Sequence, residues 1–363
     1  GDYVGGTHDL RLNSYDADVT PLLDFLPAGT LSEDVHIHDV RADHIGLHLR
    51  RVDGVLTLDG RVDGARAAAE IYGTETELRS AALTFSEREL FLAATVAAAG
   101  QTARVDGTIR LDTDEPYLDL MLRANDVAVD QLFAGSPYVG TATADMHVTG
   151  TLAVPMAEGK LRTEGGTVNG IFVANAAADV AYADGALSFQ NLTAQVFGGT
   201  VSGAGVFAAG NKSYTAHLTA DGVRLTQLRV LSASVPEEID GALRADLGID
   251  GQGTDAPTVY GSAEVTDGSY RNIPVERASA SFSVRENNVT IDFLSLNLPN
   301  DTGLGVEGTI TGGSALDLRF YGSHADLSLL NGLDDRLSFS GLSDFSGVVH
   351  GDIHDPQVEM QVS

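Results

Sequence analysis

Four segments of the chain share one template, in which an alternating strand pattern leads into a short apolar stretch. They begin at Asp9, Asp119, Thr215 and Asp317 and read DLRLNSYDADVTPLL, DLMLRANDVAVDQL, TAHLTADGVRLTQL and DLRFYGSHADLSLL. The starts lie 110, 96 and 102 residues apart. A period held from end to end indicates an array of similar units that stack in one direction. We predict one continuous repeat array over 1–363, with approximate units 9–118, 119–214, 215–316 and 317–363, the last of them truncated.

Composition narrows the function classes. Hydrophobic residues make up 43% of the 363 residues, which is too many for a disordered chain. The formal net charge of −29 argues against binding to nucleic acid, whose phosphates require Lys and Arg, and against adsorption to an anionic lipid surface. The chain has no Cys, which excludes thiol chemistry, disulfides and thiolate metal sites and suits an oxidising compartment.

A period-two pattern of apolar residues dominates the chain and predicts antiparallel strands with one apolar face and one wet face. We expect roughly eight strands in each unit and about 25–30 in all, each of about 6–10 residues. Asp-Gly pairs predict two-residue hairpin turns, because this dipeptide supplies the positive φ angles that such turns need. The pairs are Asp53-Gly54, Asp63-Gly64, Asp106-Gly107, Asp184-Gly185, Asp221-Gly222, Asp240-Gly241 and Asp267-Gly268.

The middle units stay in register at an offset of 102 residues, with Gly166 matching Gly268, Ile171 matching Ile273, Leu187 matching Val289 and Phe189 matching Ile291. Within each unit the template also predicts one short helix. The residue before each apolar stretch is Thr20, Asp130, Thr226 or Ser328, and all four types can cap a helix N-terminus. The predicted helices lie at residues 21–26 and around Leu132-Phe133, Leu228–Leu231 and Leu329–Leu333. Whether they gate a groove or cap the sheet edge is left open.

So many strands cannot form a flat open sheet, because sheets beyond about ten strands curl or fold and an apolar face must be covered. Barrel closure fits poorly, since the repeat would propagate around a ring. A parallel β-helix needs coils of about 20 residues rather than hairpins. We therefore predict an all-β fold, an elongated array whose long bent antiparallel sheet forms a hydrophobic groove. Ten residues are predicted to line it: Leu47, Leu49, Leu120, Leu122, Leu187, Phe189, Val289, Ile291, Leu318 and Phe320. The alternative is that these residues pack against one another in a closed core.

Other candidate sites are weaker. His36, His38, His44 and His48 suggest a metal site, but their apolar neighbours take the inner face, which predicts that the histidines face solvent. The acidic run 112–115 lacks the alternating ligands and the glycine of an EF-hand and is interpreted as a solvated loop. Asn125-Asp126 and its counterparts in the other units are interpreted as turns. No nucleophile elbow, Walker loop or dinucleotide fingerprint is present, so we predict a protein that is not an enzyme, with no cofactor and no metal.

Two stretches carry a family resemblance. Residues 182–189 read YADGALSF and residues 194–207 read AQVFGGTVSGAGVF, a D-G-x-L element followed by a Gly-rich strand. Residues 140–155, with Gly150-Thr151-Leu152 before Pro155, form a G-x-L-x-x-P step. This ordered set resembles the AsmA/TamB superfamily, and the acidic, cysteine-free array is most similar to TamB-type proteins of diderm bacteria.

The resemblance implies a β-taco, a bent sheet with a hydrophobic groove, in a periplasmic bridge that conducts phospholipid between the inner and outer membranes. The implied partners are phospholipids, both membranes through parts of a parent chain not present here, and outer-membrane protein assembly factors. The family's inner-membrane anchor is absent, and the chain stops just after a strand pattern, which predicts an excised piece of an anchored protein. Two alternatives remain: a secreted or surface adhesive array of closed sandwiches, and a periplasmic scaffold for outer-membrane protein assembly with an exposed edge strand.

Overall fold

The structure is a computed structural model, and it describes residues 8–21, 35–52, 55–71, 73–111, 115–132, 136, 138–151, 153–230, 237–271, 273–332 and 338–363. The described residues are 81% strand, and they confirm the predicted all-β class. All 21 strands belong to one open antiparallel sheet in which the strands pair in chain order.

The strands run from eight to 18 residues in length. Their bounds are β1 His8–Asp18, β2 Val35–Val52, β3 Val55–Ile71, β4 Thr74–Ser86, β5 Glu89–Ala98, β6 Gln101–Arg110, β7 Tyr117–Ala128, β8 Tyr138–Thr151, β9 Pro155–Val168, β10 Ile171–Ala183, β11 Ala186–Val196, β12 Gly199–Ala208, β13 Ser213–Arg224, β14 Ile239–Gln252, β15 Thr258–Tyr270, β16 Ile273–Arg285, β17 Asn288–Leu298, β18 Thr302–Thr311, β19 Ala315–Asp326, β20 Leu342–Asp352 and β21 Asp355–Val362.

Short helical segments follow the template strands. Helix α1 spans Val129–Leu132 after β7, and two 3-10 segments, η1 (Leu225–Val230) and η2 (Leu327–Gly332), follow β13 and β19. The template strands β1, β7, β13 and β19 are therefore six strands apart, not the eight that we expected from the sequence. The expectation was wrong because the strands are longer than assumed. The helix predicted at 21–26 has only its first residue, Pro21, within the described residues.

The chain divides into two compact units. Unit 1 comprises residues 1–169 and 179–184, and unit 2 comprises residues 170–178 and 185–363. The repeat boundaries predicted from the sequence are a separate division and remain a prediction. The 102-residue offset does reappear in the strand bounds, because β10 and β11 begin at Ile171 and Ala186 while β16 and β17 begin at Ile273 and Asn288.

The Asp-Gly pairs mostly do not form hairpin turns. Asp184-Gly185 joins β10 to β11, and Asp53-Gly54 falls outside the described residues. The other five pairs lie inside strands. Other X-Gly pairs make the turns, such as Ala99-Gly100 and Phe197-Gly198, where both residues have positive φ as a type I′ turn requires. Inside the strands the positive φ serves close backbone approach and bulges instead.

A β-bulge replaces the turn that we predicted at Asn125-Asp126. Register shifts interrupt the pairing of β7, β13 and β19 at equivalent places, and Asp126, Gly222 and His324 have φ angles of 51°, 71° and 51° there. A bulge bends the strand and re-aims the residue that follows it. The following residue is buried in all three strands, as Val127, Val223 and Ala325. Each template strand thus bends just before its helical segment.

In two of the four units the helix cap is an aspartate that lies two residues earlier than the predicted cap. The segments begin at Val129, Leu225 and Leu327, so the predicted caps Asp130, Thr226 and Ser328 are second residues of their segments. Asp326 caps η2, because its carboxylate accepts the N–H of Ser328 at 2.9 Å. Asp18 accepts the N–H of Thr20 at 3.0 Å in the same template position. Hydrogen bonds from Thr20 lower the pKa of Asp18, and hydrogen bonds from Ser328 and Asn300 lower the pKa of Asp326.

Candidate functional site

The strand register of unit 2 places apolar residues in continuous rows on one face of the sheet. Cross-strand partners share a face, so each row can be followed from strand to strand. The central row is Leu218, Leu247, Gly261, Phe282, Ile291, Gly308, Leu318, Val349 and Val358. The row on one side is Ala216, Ile249, Val259, Val284, Val289, Ile310, Leu316, Gly351 and Pro356. These rows, which we call the apolar face of unit 2, carry no charged or polar side chain.

A third row, whose first four members are alanines, borders the central row on its other side. It reads Ala220, Ala245, Ala263, Ala280, Leu294, Val306, Phe320, Gly347 and Met360. The four alanines lie beside the larger Leu218 and Phe282, which stand on the same face of their strands.

Unit 1 has an apolar face built in the same way. One row is Ile45, Val62, Leu83, Leu92, Gly107, Leu120, Val148 and Ala157, and the next is Leu47, Gly60, Phe85, Leu90, Ile109, Leu118, Gly150 and Pro155. Ala42, Ile45, Val62, Ala65, Ala81 and Ala94 form a buried cluster on β2 to β5. Part of this face is therefore packed on itself, as the closed-core alternative requires.

The apolar faces are only partly buried. Among the described residues no large side chain is less than 2% exposed, and nine of the 16 buried hydrophobic residues are alanine. All described strands belong to one sheet, so no second sheet covers the apolar faces. Contiguous apolar surface of more than a few hundred Å² is typical of a binding site.

All ten predicted lining residues lie on these faces and are half-buried. In unit 1, Leu47, Leu49, Leu120 and Leu122 lie on one face, and Leu47 also packs against the buried cluster. In unit 2, Leu187 and Phe189 pair with Phe207 and Gly205, while Val289, Ile291, Leu318 and Phe320 belong to the three rows above. The structure brings each set together within its unit, and their role in ligand binding remains a prediction.

Sequence reasoning missed a repeated glycine on every third strand. Gly60, Gly107, Gly159, Gly203, Gly261 and Gly308 lie in β3, β6, β9, β12, β15 and β18. A Cβ at any of them would lie 2.0 to 2.2 Å from a carbonyl oxygen of the neighbouring strand. Each glycine also faces a large apolar partner, such as Leu247 opposite Gly261 and Leu318 opposite Gly308. The six-strand spacing of the template could have revealed this signal, but the sequence pattern alone did not give the strand count.

The opposite face of the sheet is polar and carries a repeated His–Asp pair between each template strand and the strand after it. His48 and Asp9 join β1 to β2, and His147 and Asp119 join β7 to β8, at 2.8 and 2.7 Å. His217 and Asp246 exchange positions between β13 and β14, and His350 faces Asp317 between β19 and β20. These side chains are between 28% and 74% exposed, so each pair contributes little to stability.

The four histidines weighed as metal ligands do not converge on one point. His44 bonds Asn13 and His48 bonds Asp9 on the polar face. His38 has a ring nitrogen within 4.8 Å of carboxylate oxygens of Glu70 and Glu75. His36 and His38 are exposed, as predicted, whereas His44 and His48 are half-buried. Of the acidic run 112–115, only Glu115 lies within the described residues.

One comparison with known proteins decides the family. Residues 92–292, more than half of the chain, match the model of the TamB C-terminal domain. The chain belongs to the TamB family. Searches of curated proteins and of solved structures gave no match. The matched range includes β6 to β16 with their bulges and helical segments, which are the parts of the fold in which the repeat is clearest.

The TamB family is associated with the cell envelope. The presence of this domain suggests a bridge-like protein related to the outer membrane. In the part of the chain that the structure describes, no helix has the length and apolar character needed to cross a bilayer.

Proposed function

We propose that the apolar faces of this TamB segment bind the acyl chains of phospholipids in the periplasm, as part of a bridge that conducts lipid between the inner and outer membranes. The observation that carries the proposal is the uncovered apolar face of unit 2, whose rows run from β13 to β21 without a charged side chain. An acyl chain gains about 0.8 kcal/mol for each CH2 that it moves from water to an apolar wall. Headgroups would remain outside the wall, and no catalytic step is needed.

The two alternatives predict different structures. A closed sandwich requires two packed sheets, and the described strands form one. A scaffold that captures partners by strand addition requires an edge strand, and β21 has a sheet partner, β20, on one side. The lipid proposal is favoured because edge capture would not need an apolar face of this extent. The two roles are not exclusive within one protein.

The test is lipid content after purification. Leu187→Asp, in β11, and Ile291→Asp, in the central row of the apolar face, both place a charge on the apolar side of the sheet in unit 2. Each should deprive two or three CH2 groups of their apolar wall. That loss is about 2 kcal/mol, or roughly a 30-fold fall in affinity. Thr290→Asp is the matched control, because Thr290 is the exposed neighbour of Ile291 on the polar face.

Phospholipid in organic extracts is measured by mass spectrometry for wild type and the three variants. We expect lipid with wild type and Thr290→Asp and strongly reduced lipid with the two apolar-face variants. Equal lipid in all four proteins would overturn the assignment of the face, and no phospholipid with wild type would overturn the proposed function itself.

A further inference from the structure

The apolar face of unit 2 is roofed at one place. Beneath η2, between β17 and β21, lies a cavity of about 340 Å³. Leu298, Leu304, Phe345 and Met360 line it from the sheet, and Leu329 and Phe339 line it from the roof. Pockets that hold small ligands begin at about this size.

The start of the roof is fixed by hydrogen bonds to the sheet. The bulge at Ser323-His324 bends β19 just before η2. The N–H of Asp326 donates to Thr302 Oγ1 at 2.9 Å, and Asn300 Nδ2 donates to the Asp326 carboxylate at 2.8 Å. Asn300 and Thr302 lie at the turn between β17 and β18, so η2 is tied to the strands that form the far wall of the cavity.

The end of the roof is fixed by one side chain. The Asn331 amide donates to the carbonyl oxygen of Phe339 at 3.0 Å and accepts the N–H of Phe339 at 2.7 Å. This pair of hydrogen bonds is the pattern that a neighbouring strand would supply, and it holds Phe339 over the cavity. Leu329, which lies in η2, and Phe339, which is bonded to Asn331 of η2, therefore cover the cavity.

The chemistry of the lining favours an apolar ligand. Its polar side chains are Thr302, Asp326 and Ser343, and their oxygens already take part in hydrogen bonds. Among the described residues no buried polar side-chain atom lacks a partner. Asp326 is the charged residue in the lining, and its negative charge disfavours a ligand that carries a bare carboxylate or a net negative headgroup.

We propose that the cavity under η2 is a holding site for a single acyl chain of a zwitterionic phospholipid, with the headgroup outside the roof. This inference rests on the proposed function. Elsewhere on the face a chain contacts the sheet from one side, whereas here Leu329 and Phe339 contact it from the other side as well. A lipid on the face would therefore reside at this site in preference to the open rows.

The experiment uses a phosphatidylcholine that carries a photoactivatable diazirine in one acyl chain, bound to the purified chain and cross-linked by light. Cross-linked peptides are identified by mass spectrometry. We expect peptides from 298–304 and 325–345 to carry at least five times the label of peptides from β14 to β16. An excess of unlabelled phosphatidylcholine should remove this label, and an equal excess of oleate should remove less of it.

Two variants fill the cavity and one is the control. Ala325→Met and Ser343→Leu both place new atoms inside the lining, and using two guards against a folding defect in one. Ala263→Met adds the same side chain to the apolar face at β15, outside the cavity. Circular dichroism confirms that each variant is folded. Label at 298–304 and 325–345 should fall at least fivefold in the filled variants and stay unchanged in Ala263→Met.

The outcomes separate the two proposals. Label spread evenly along the apolar face, or unchanged by filling, would overturn the holding site and leave the proposed function standing. Equal competition by oleate would overturn the preference for a zwitterionic lipid. No label on any peptide of the wild type would overturn the holding site and the proposed function together.

Discussion

The close approach of strands β18 and β19 at Gly308 leads to the strongest prediction about the fold. Gly308 has a φ angle of +134° and lies opposite Leu318 on the apolar face. A Cβ built on it would lie 2.2 Å from the carbonyl oxygen of Asp317 and 2.9 Å from the Cα of Leu318. These are backbone atoms, so the clash of Gly308→Ala cannot be relieved by rotating a side chain. Strands β18 and β19 would have to separate locally by about 1 Å to restore ordinary contact.

Two costs add at this position. Forcing an extra methyl group into a close-packed site costs about 1–3 kcal/mol. Holding a residue other than glycine at a disfavoured positive φ costs about another 1–3 kcal/mol. Ala restricts the unfolded chain and returns about 0.4–1 kcal/mol. We expect Gly308→Ala to lower the free energy of unfolding by about 1–5.5 kcal/mol.

Two other glycines of the same unit separate the costs. Gly312 has a φ of +64° with no atom within 4 Å of a built Cβ, so Gly312→Ala should show the backbone cost alone, about 1–2 kcal/mol. Gly210 has a φ outside the left-handed region and no heavy atom within 4 Å of a built Cβ, so Gly210→Ala should be neutral or slightly stabilising.

Urea unfolding followed by circular dichroism gives the midpoint and the slope for all three variants. The midpoint should fall most for Gly308→Ala at unchanged slope. If Gly308→Ala and Gly312→Ala shift the midpoint equally, then β18 and β19 do not approach each other closely at Gly308, and glycine is not required on every third strand.

Three further predictions concern other parts of the molecule. The pKa values of Asp18 and Asp326 are lowered below 3.8, so their stabilisation is present above that pH and is lost as the pH falls through the folded-state values. The urea midpoint should therefore fall in acid, and Asp326→Asn should make that fall smaller. Leu298→Ala should cost about 2–4 kcal/mol because Leu298 is buried, whereas Leu342→Ala, at a side chain that is 66% exposed, should cost less than about 0.5 kcal/mol in the same urea assay. His217→Gln should change stability by less than about 1 kcal/mol, and added salt should remove the difference.

The apolar faces could be predicted from the sequence because a strand has a side-chain period of two. Once Leu318 and Phe320 were recognised as alternating, their common face followed whatever the rest of the fold did. The 102-residue offset likewise predicted matching strands, and the bulge after Phe189 in β11 recurs after Ile291 in β17. Local periodicity carries this information, so it survives errors elsewhere.

The strand count and the turns could not be predicted, because both depend on where a positive φ is used. Asp221-Gly222 and Asp184-Gly185 have the same sequence, yet the first forms a bulge inside β13 and the second a turn between β10 and β11. The choice is made by the register with the neighbouring strand, which is not local. Treating each Asp-Gly as a turn shortens the strands and inflates their number. The cap at Asp326 was missed for a related reason, since the bulge at His324 sets where η2 begins.

Under the proposed function, the repeated glycines would determine how lipid moves along the apolar face of unit 2. A uniform wall would give a level free-energy path. The wall of unit 2 is periodic instead, because β12, β15 and β18 each place a glycine opposite a leucine, three strands apart. With strands about 4.8 Å apart, an acyl chain would meet the same surroundings every 14 Å or so. Burial of one CH2 against an apolar wall is favourable by about 0.8 kcal/mol, and part of this is lost when the CH2 moves from beside a leucine to beside a glycine. The acyl chain should therefore advance in steps between equivalent positions. The roofed cavity beside Leu298 and Phe345 adds a further position on the same face, and a bridge of this kind would therefore hold lipid at defined places rather than as an even film.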